Sequence, residues 1–448
     1  MRSSVLFIIP YVPLSVPVCF LCVCLFCNDH PLGADSLNSK RSSEHLWNSG
    51  LGPVTAQDDD SIASMREQVL GLSELKTAPK IYESPDARGL DGVRPIYFEG
   101  LPWRGKKTRV FAWLGLPNKP PGQTDAARVP GVVLVHGGGG TAFLPWVKKW
   151  NDKGFAAISI AVEGQTDLRD QEGKKWLRHE WGGPERQGIY GDSDLPLKEQ
   201  WMYHSVADTI LAHSLLRSLP QVDSEKVGVV GISWGGVIAS TVIGIDQRFS
   251  FAVPTYGCGD LAESANQYGR ALGQNQVYRK VWDPMVRMDK VSIPVLWLTW
   301  PGDLHFPMDS LKNCYDKAKG PHMVAMIPGM NHGHGAGWNP PDSYAFAESI
   351  VNAGEPWCVQ HGVLLDGADG MSGRLSFDTT KPVSKANLVT TTDFGFTGSR
   401  KWVESPAEFI QGKGRAVVTV SLPPGTTAWF VNVDHAGSVA SSDYQIVK

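Results

Sequence analysis

From Arg94 onward the chain alternates short apolar runs with longer amphipathic ones. Pro95–Glu99 and Thr108–Leu116 are β-rich and joined by the turn-like Gly-Leu-Pro-Trp-Arg-Gly. Gly131–Val135 (GVVLV), Ala156–Val162 (AAISIAV), Val227–Val230, Phe251–Tyr256, Val295–Thr299 and Met323–Ile327 are strand-length apolar segments. Helical spacing falls between them. It covers Phe143–Lys153, Trp234–Ile245 and Tyr203–Leu219, where Val206, Ile210, Leu211 and Leu215 share one side. Apolar strands alternating with helices predict a mostly parallel sheet with helices on both faces.

Three regions depart from this rhythm. Residues 35–93 are largely polar, with no apolar periodicity before a short helix expected over Ser61–Leu75, and are read as a linker and N-terminal arm. The expected catalytic domain is 94–369. Within it, Glu163–Gln200 is a long polar and aromatic insertion following a strand's C-terminal end, where α/β sheets bind ligands. A pocket rim and a surface excursion are both open readings. From about Gly370 the helical pattern stops. Ala416–Leu422 and Thr427–Val433 flank the turn Pro423-Pro424-Gly425, so 370–448 is expected to form a small C-terminal β domain.

The first 34 residues are different again. Val5–Cys27 carries no charge and follows Arg2. A secretory h-region is usually ~7–15 residues, so this one is long, and it reaches the ~20 residues of a membrane anchor. Pro10, Pro13 and Pro17 disfavour a straight helix there. Export with cleavage near Ala34 is the preferred expectation, with anchoring through residues 5–27 as the alternative. Four of the seven cysteines lie in that segment. Of Cys258, Cys314 and Cys358, three buried thiols are preferred, with a Cys314–Cys358 disulfide as the alternative.

The totals narrow the partners. The 448 residues are 42% hydrophobic and 19% charged, with net charge −3 from 42 basic and 45 acidic residues. That balance offers no basic surface for nucleic acid, and no stable partner is inferred. The 16 tryptophans are read mainly as core residues rather than sugar platforms.

Chemistry enters at Val230–Gly236, VGISWGG. A G-x-S-x-G after a strand and before a helix is a nucleophile elbow: a strained turn lifts the serine Oγ out of the backbone, and the glycines permit close approach of strand and helix. A serine needs a base, and the base needs an orienting acid, in the chain order Ser, Asp or Glu, His. Val295–Thr299 runs into Trp300-Pro301-Gly302-Asp303. Met323–Ile327 runs into Pro328-Gly329-Met330-Asn331-His332-Gly333-His334-Gly335. Ser233, Asp303 and His332 therefore each follow a separate apolar strand in the required order. His334 is the rival base. Glu163 is a rival acid on a strand that precedes the serine. The glycine run His136–Thr141 supplies oxyanion donors after an earlier strand. Gly138 with Trp234 is the preferred pair, and Gly137 the alternative. Neither GxxxxGK[ST] nor a dinucleotide fingerprint occurs, and no metal or cofactor is expected.

The stretches HGGGGTAF, GISWGG, TYGCGDL and LTWPGDLHFP together resemble exported bacterial α/β-hydrolases of the acetyl xylan esterase-like or dienelactone hydrolase-like type, near the prolyl oligopeptidase-type hydrolases. The resemblance covers roughly Pro95–Val351, and LPPGTTAWFVNV resembles the β tail of such proteins. It implies an α/β-hydrolase fold with the nucleophile at Ser233, the acid at Asp303 and the base at His332. Dienelactone hydrolases proper use cysteine where this chain has Ser233. The resemblance implies a serine esterase acting on an acetylated carbohydrate or another small ester. Two alternatives stay open. One is a prolyl oligopeptidase-like peptidase, though fewer than a hundred residues precede Pro95, so no propeller is expected. The other is a non-catalytic glycan-binding protein on the hydrolase fold.

Overall fold

A computed structural model describes residues 56–84, 89–118, 128–365 and 370–447. The apolar segment 5–27 and the expected cleavage near Ala34 lie outside them. Among the described residues no helix is long and apolar enough to cross a membrane. The expected 35–93 arm contains helix α1 (Ala56–Gly71), which starts before the Ser61 expected from periodicity, and strand β1 (Ile81–Glu83).

The chain then lays down β2 (Val93–Glu99), β3 (Arg109–Gly115), β4 (Val129–Val135), α2 (Leu144–Asn151) and β5 (Ala156–Ile160). The insertion holds a hairpin, β6 (Gln165–Arg169) with β7 (Trp176–Arg178), in a stretch that carries no strand pattern. There follow α3 (Trp201–Ser218), β8 (Val222–Ile232), α4 (Trp234–Val242), β9 (Ala252–Thr255), α5 (Gln267–Leu272), β10 (Val295–Thr299), α6 (Met308–Lys317), β11 (His322–Met326), α7 (His334–Trp338) and α8 (Asp342–Ala353).

The central sheet runs β1-β2-β3-β5-β4-β8-β9-β10-β11 before it passes to C-terminal strands. From β5 to β11 every neighbouring pair is parallel. The C-terminal parts of these strands are apolar and buried because both faces are covered there, as in Val227–Ile232 of β8. Helix α3 packs across β4, β5 and β8, and every residue from Trp201 to Leu216 is buried. The parallel arrangement brings the C-terminal ends of β4, β5, β8, β9, β10 and β11 to one edge, so residues far apart in sequence meet there. This is the α/β-hydrolase fold.

Helix α8 ends at Gly354, whose left-handed backbone (φ 80°) closes it. The remaining elements are β12 (Cys358–Leu365), β13 (Ser372–Thr379), β14 (Lys385–Thr391), β15 (Val403–Pro406), β16 (Phe409–Gly412), β17 (Arg415–Ser421), β18 (Ala428–His435), β19 (Ser438–Ser441) and β20 (Gln445–Ile446). The boundary expected at 369/370 falls inside the antiparallel β12–β13 hairpin. β19 pairs with β11 through Val324 and Ser441, and the sheet continues through β18, β14 and β15. Strands of the described residues 370–447 are therefore built onto the edge of the parallel sheet. Cys258, Cys314 and Cys358 are buried free thiols, which sets aside the Cys314–Cys358 disulfide. Burial pushes the Cys358 thiol up to about 12.

Candidate active site

Ser233 sits between β8 and α4 at φ 58°, ψ −119°, a conformation that L-residues rarely adopt and that the surroundings must hold. Its N–H donates to the Thr255 carbonyl at 2.9 Å. The flanking glycines are required by contact. A Cβ on Gly231 would lie 2.0 Å from the Gly235 oxygen, and one on Gly235 would lie 2.1 Å from the Val135 oxygen. Strand β8, helix α4 and the end of β4 approach too closely for any side chain at either position.

His332 comes from the loop after β11. Its Nε2 lies 3.0 Å from Ser233 Oγ, and its Nδ1 lies 2.8 Å from Asp303 Oδ2. Oγ–H donating to Nε2 and Nδ1–H donating to the carboxylate is the arrangement these distances fit. Asp303 is 1% exposed and both oxygens are used. Oδ1 accepts the N–H groups of His305 (2.7 Å) and Phe306 (2.9 Å), and Oδ2 also accepts Trp300 Nε1–H at 3.2 Å. The imidazole is held by its faces as well. The Tyr256 ring centre is 4.5 Å away, that of His305 is 4.7 Å away, and Phe306 stacks at 5.9 Å. The Tyr256 hydroxyl donates to the Asn331 carbonyl at 2.8 Å, fixing the left-handed turn (φ 66° at Asn331) that aims His332 inward.

The acid turn is also supported from the C-terminal region. A Cβ on Gly398 would lie 2.1 Å from the Asp303 carbonyl oxygen. The buried Thr397 Oγ1 accepts the Met308 N–H at 3.2 Å. The turn 397–399 thus closes over the backbone that carries the acid.

The rivals have other partners. His334 Nε2 accepts the Gly137 N–H at 3.0 Å, and burial lowers its pKa, which keeps that nitrogen free to accept. Glu163 contacts Gln165 and Arg186. His136, which sequence reasoning passed over, is fully buried. Its Nε2 accepts the Val162 N–H at 3.1 Å, so Nδ1–H donates to the Gly137 carbonyl at 2.7 Å. Burial pushes its pKa down to about 3. Two neutral histidines therefore grip Gly137, one on each side of its backbone, and its N–H is consumed. Gly138, packed against the Trp234 indole, and Trp234, the first residue of α4 and next to Ser233, retain N–H groups with no acceptor among the described residues. Trp234 is ringed by Tyr190, Trp201 and Tyr268, with ring centres 5.6–5.9 Å away. Tyr190, Trp201 and Tyr268 were not singled out in the sequence as site residues, and only the aromatic content of the insertion pointed toward Tyr190. Among the described residues no group of three or more His, Cys, Asp or Glu side chains is gathered for a metal ion.

The chain is similar to two groups of known proteins. A family model of acetyl xylan esterase (AXE1) matches residues 72–259, and that of the prolyl oligopeptidase family matches residues 194–348. A probable dipeptidyl-peptidase 5 of Aspergillus terreus is 23% identical over 267 residues, 54% of this chain and 34% of that protein. One of Aspergillus clavatus is 27% identical over 192 residues, 41% of this chain and 22% of that protein. The chain thus spans only about a third or less of the length of these curated relatives. Among solved structures, acetyl xylan esterase 1 from Thermoanaerobacterium sp. is 17% identical with TM-score 0.48, covering 61% of this chain and 89% of that one. An acetyl xylan esterase from Paenibacillus sp. R4 is 20% identical with TM-score 0.47, covering 61% and 90%.

Proposed function

We propose that this chain, a serine hydrolase of the α/β-hydrolase fold similar to acetyl xylan esterase, is a carboxylic-ester hydrolase that works through an acyl-enzyme on Ser233. The observation that carries the reading is the continuous hydrogen-bonded path from Ser233 Oγ through His332 to Asp303 on a strained elbow. In this reading His332 Nε2 takes the hydroxyl proton as Oγ attacks the ester carbonyl, while Asp303 holds the Nδ1–H tautomer and stabilises the imidazolium. The N–H groups of Gly138 and Trp234 receive the developing oxyanion. Collapse expels the alcohol, which takes the proton from His332. Water, activated by the same imidazole, then releases the acid.

The likeness to acetyl xylan esterase favours acetyl groups on a carbohydrate as the substrate. We also infer export, with residues 5–27 as the signal or anchor. The test is hydrolysis of an aryl acetate by the full chain and by Ser233→Ala. Loss of roughly 10⁴-fold or more in kcat, with the melting temperature kept, is expected. Retention within tenfold would sink the assignment. The match over 194–348 to the prolyl oligopeptidase family favours a second reading, peptide hydrolysis by the same serine. Aryl amides of proline-containing dipeptides, assayed beside the acetate, separate the two.

A further inference from the structure

Between β5 and α3 the insertion carries Arg186 up against Gly138 and the indole of Trp234, the residue after Ser233. Arg186 is pinned on two edges. Its Nε donates to Glu163 Oε1 at 3.2 Å, and its Nη1 donates to the Gly188 carbonyl. The guanidinium carbon lies 5.3 Å from the Trp234 ring centre and 5.9 Å from that of Trp201. The third edge is open. Among the described residues Nη2 has no acceptor, and a Cβ on Gly138 would lie 2.6 Å from it. The open edge therefore lies against Gly138, which in the esterase reading receives the ester oxygen together with Trp234. The arginine side chain is 19% exposed and its Glu163 partner 8% exposed.

Two contacts would suffice if Arg186 only tied the insertion together. They engage Nε and Nη1 and so fix the plane of the guanidinium, which leaves Nη2 a donor with no acceptor among the described residues. The ion pair with Glu163 offsets the cost of burying the guanidinium and leaves an unspent charged donor, which an anionic group satisfies best. A planar fork held on two edges is pre-organised to present its remaining donors to a carboxylate. Glu163 sets the strength of that attraction, because its charge offsets the arginine's. Burial pushes the Glu163 carboxyl upward, against the pull of Arg186.

We propose that Arg186 Nη2 reads a carboxylate on the substrate, so that the preferred esters of this enzyme are anionic. The inference rests on the esterase reading above. The carboxylate belongs either to the acyl part, as in a half-ester of a dicarboxylic acid, or to the alcohol part, as in an O-acetylated uronic acid. The two share the chemistry that Arg186 recognises and are told apart by substrate pairs.

The test uses the full chain as wild type, Arg186→Met, Arg186→Lys and Glu163→Gln. The first pair is a mono-aryl succinate against the aryl acetate. The second is an acetylated methyl glucuronide against the acetylated methyl glucoside. The readout is the ratio of kcat/KM for the charged ester over its neutral counterpart. In one of the two pairs Arg186→Met is expected to lower that ratio tenfold or more, on the order of one charge-assisted hydrogen bond. Arg186→Lys falls between, and Glu163→Gln raises the ratio. A general loosening of the insertion would move both members of a pair together, so opposite shifts on the two sides of the ion pair are diagnostic. Ratios unchanged in Arg186→Met for both pairs, or lowered equally in Glu163→Gln, would overturn the proposal while leaving esterase activity in place. Absence of any Ser233-dependent ester hydrolysis would instead remove the reading on which it stands.

Discussion

Replacing Asp303 by Asn tests the site at the point where geometry constrains it most. The carboxylate accepts four hydrogen bonds, two backbone N–H groups at Oδ1 and the His332 and Trp300 N–H groups at Oδ2. An amide offers one acceptor oxygen. The His305 and Phe306 N–H groups cannot change their nature, whereas an imidazole can move its proton. The amide oxygen therefore takes the Oδ1 place, and the NH₂ faces His332. The ring answers by carrying its proton on Nε2 and accepting at Nδ1. Nε2 then turns a hydrogen, not a lone pair, toward Ser233 Oγ 3.0 Å away, and the base is lost. Restoring the working tautomer means giving up a hydrogen bond to a charged acceptor and setting donor against donor at a position only 1% exposed. These terms sum to roughly 4–6 kcal/mol, or about 10³–10⁴ in kcat. The same substitution in the serine-protease triad costs about 10⁴. The amide keeps both backbone donors but leaves the Trp300 Nε1–H facing its NH₂ without an acceptor, so the fold should lose about 1–3 kcal/mol. Asp303→Ala strips them and should cost about 1–3 kcal/mol of stability for each bare N–H. Initial rates on an aryl acetate, read beside thermal melts, separate the two. An Asp303→Asn protein within tenfold of wild-type kcat would refute the reasoning.

Two further expectations come from the neighbours of the site. His334→Ala removes an acceptor from the Gly137 N–H and should lower kcat about tenfold, whereas His332→Ala should lower it ~10³-fold or more; the reverse order in steady-state rates would make His334 the base. Asp342 at the start of α8 is buried. Its Oδ1 accepts the Val439 N–H at 2.6 Å, and Oδ2 has no partner among the described residues. Burial raises its pKa to about 7, above the unfolded value, so the folded state holds the proton more tightly. Its stabilising contribution is full at acid pH and is lost as pH rises through about 7, by at most ~4 kcal/mol. Asp342→Asn should flatten the fall in melting temperature between about pH 4 and 7, and an unchanged slope would show the carboxyl ionised in the fold.

The features legible in the chain were local. Val295–Thr299 and Met323–Ile327 are apolar runs stopped by turn residues, and each forms its strand with Asp303 or His332 just beyond it. VGISWGG needed only its own spacing to place Ser233 between strand and helix. The choices left open were those that depend on distant groups. His332 and His334 stand two residues apart in one glycine-rich loop. Their different partners result from the Asn331 turn and from Tyr256, which arrives on β9's extension. Gly137 and Gly138 are adjacent and alike in sequence, and only the grip of His136 and His334 on Gly137 tells them apart. The β6–β7 hairpin escaped because Gln165–Arg169 lacks the alternation that marks a half-buried strand. The strands of the C-terminal region were visible in AVVTVSL and TAWFVNV. Their attachment to β11 was not, because a pairing through Val324 and Ser441 leaves no local trace.

That attachment sets an order in time. Synthesis delivers Ser233, Asp303 and His332 before it delivers the turn 397–399 that closes over the Asp303 backbone and the strand 438–441 that covers the edge of β11. A chain stopped before residue 397 would carry all three reacting groups and lack the turn that closes over the acid. Truncation from the C-terminal end would thus reach the acid turn without removing a reacting residue.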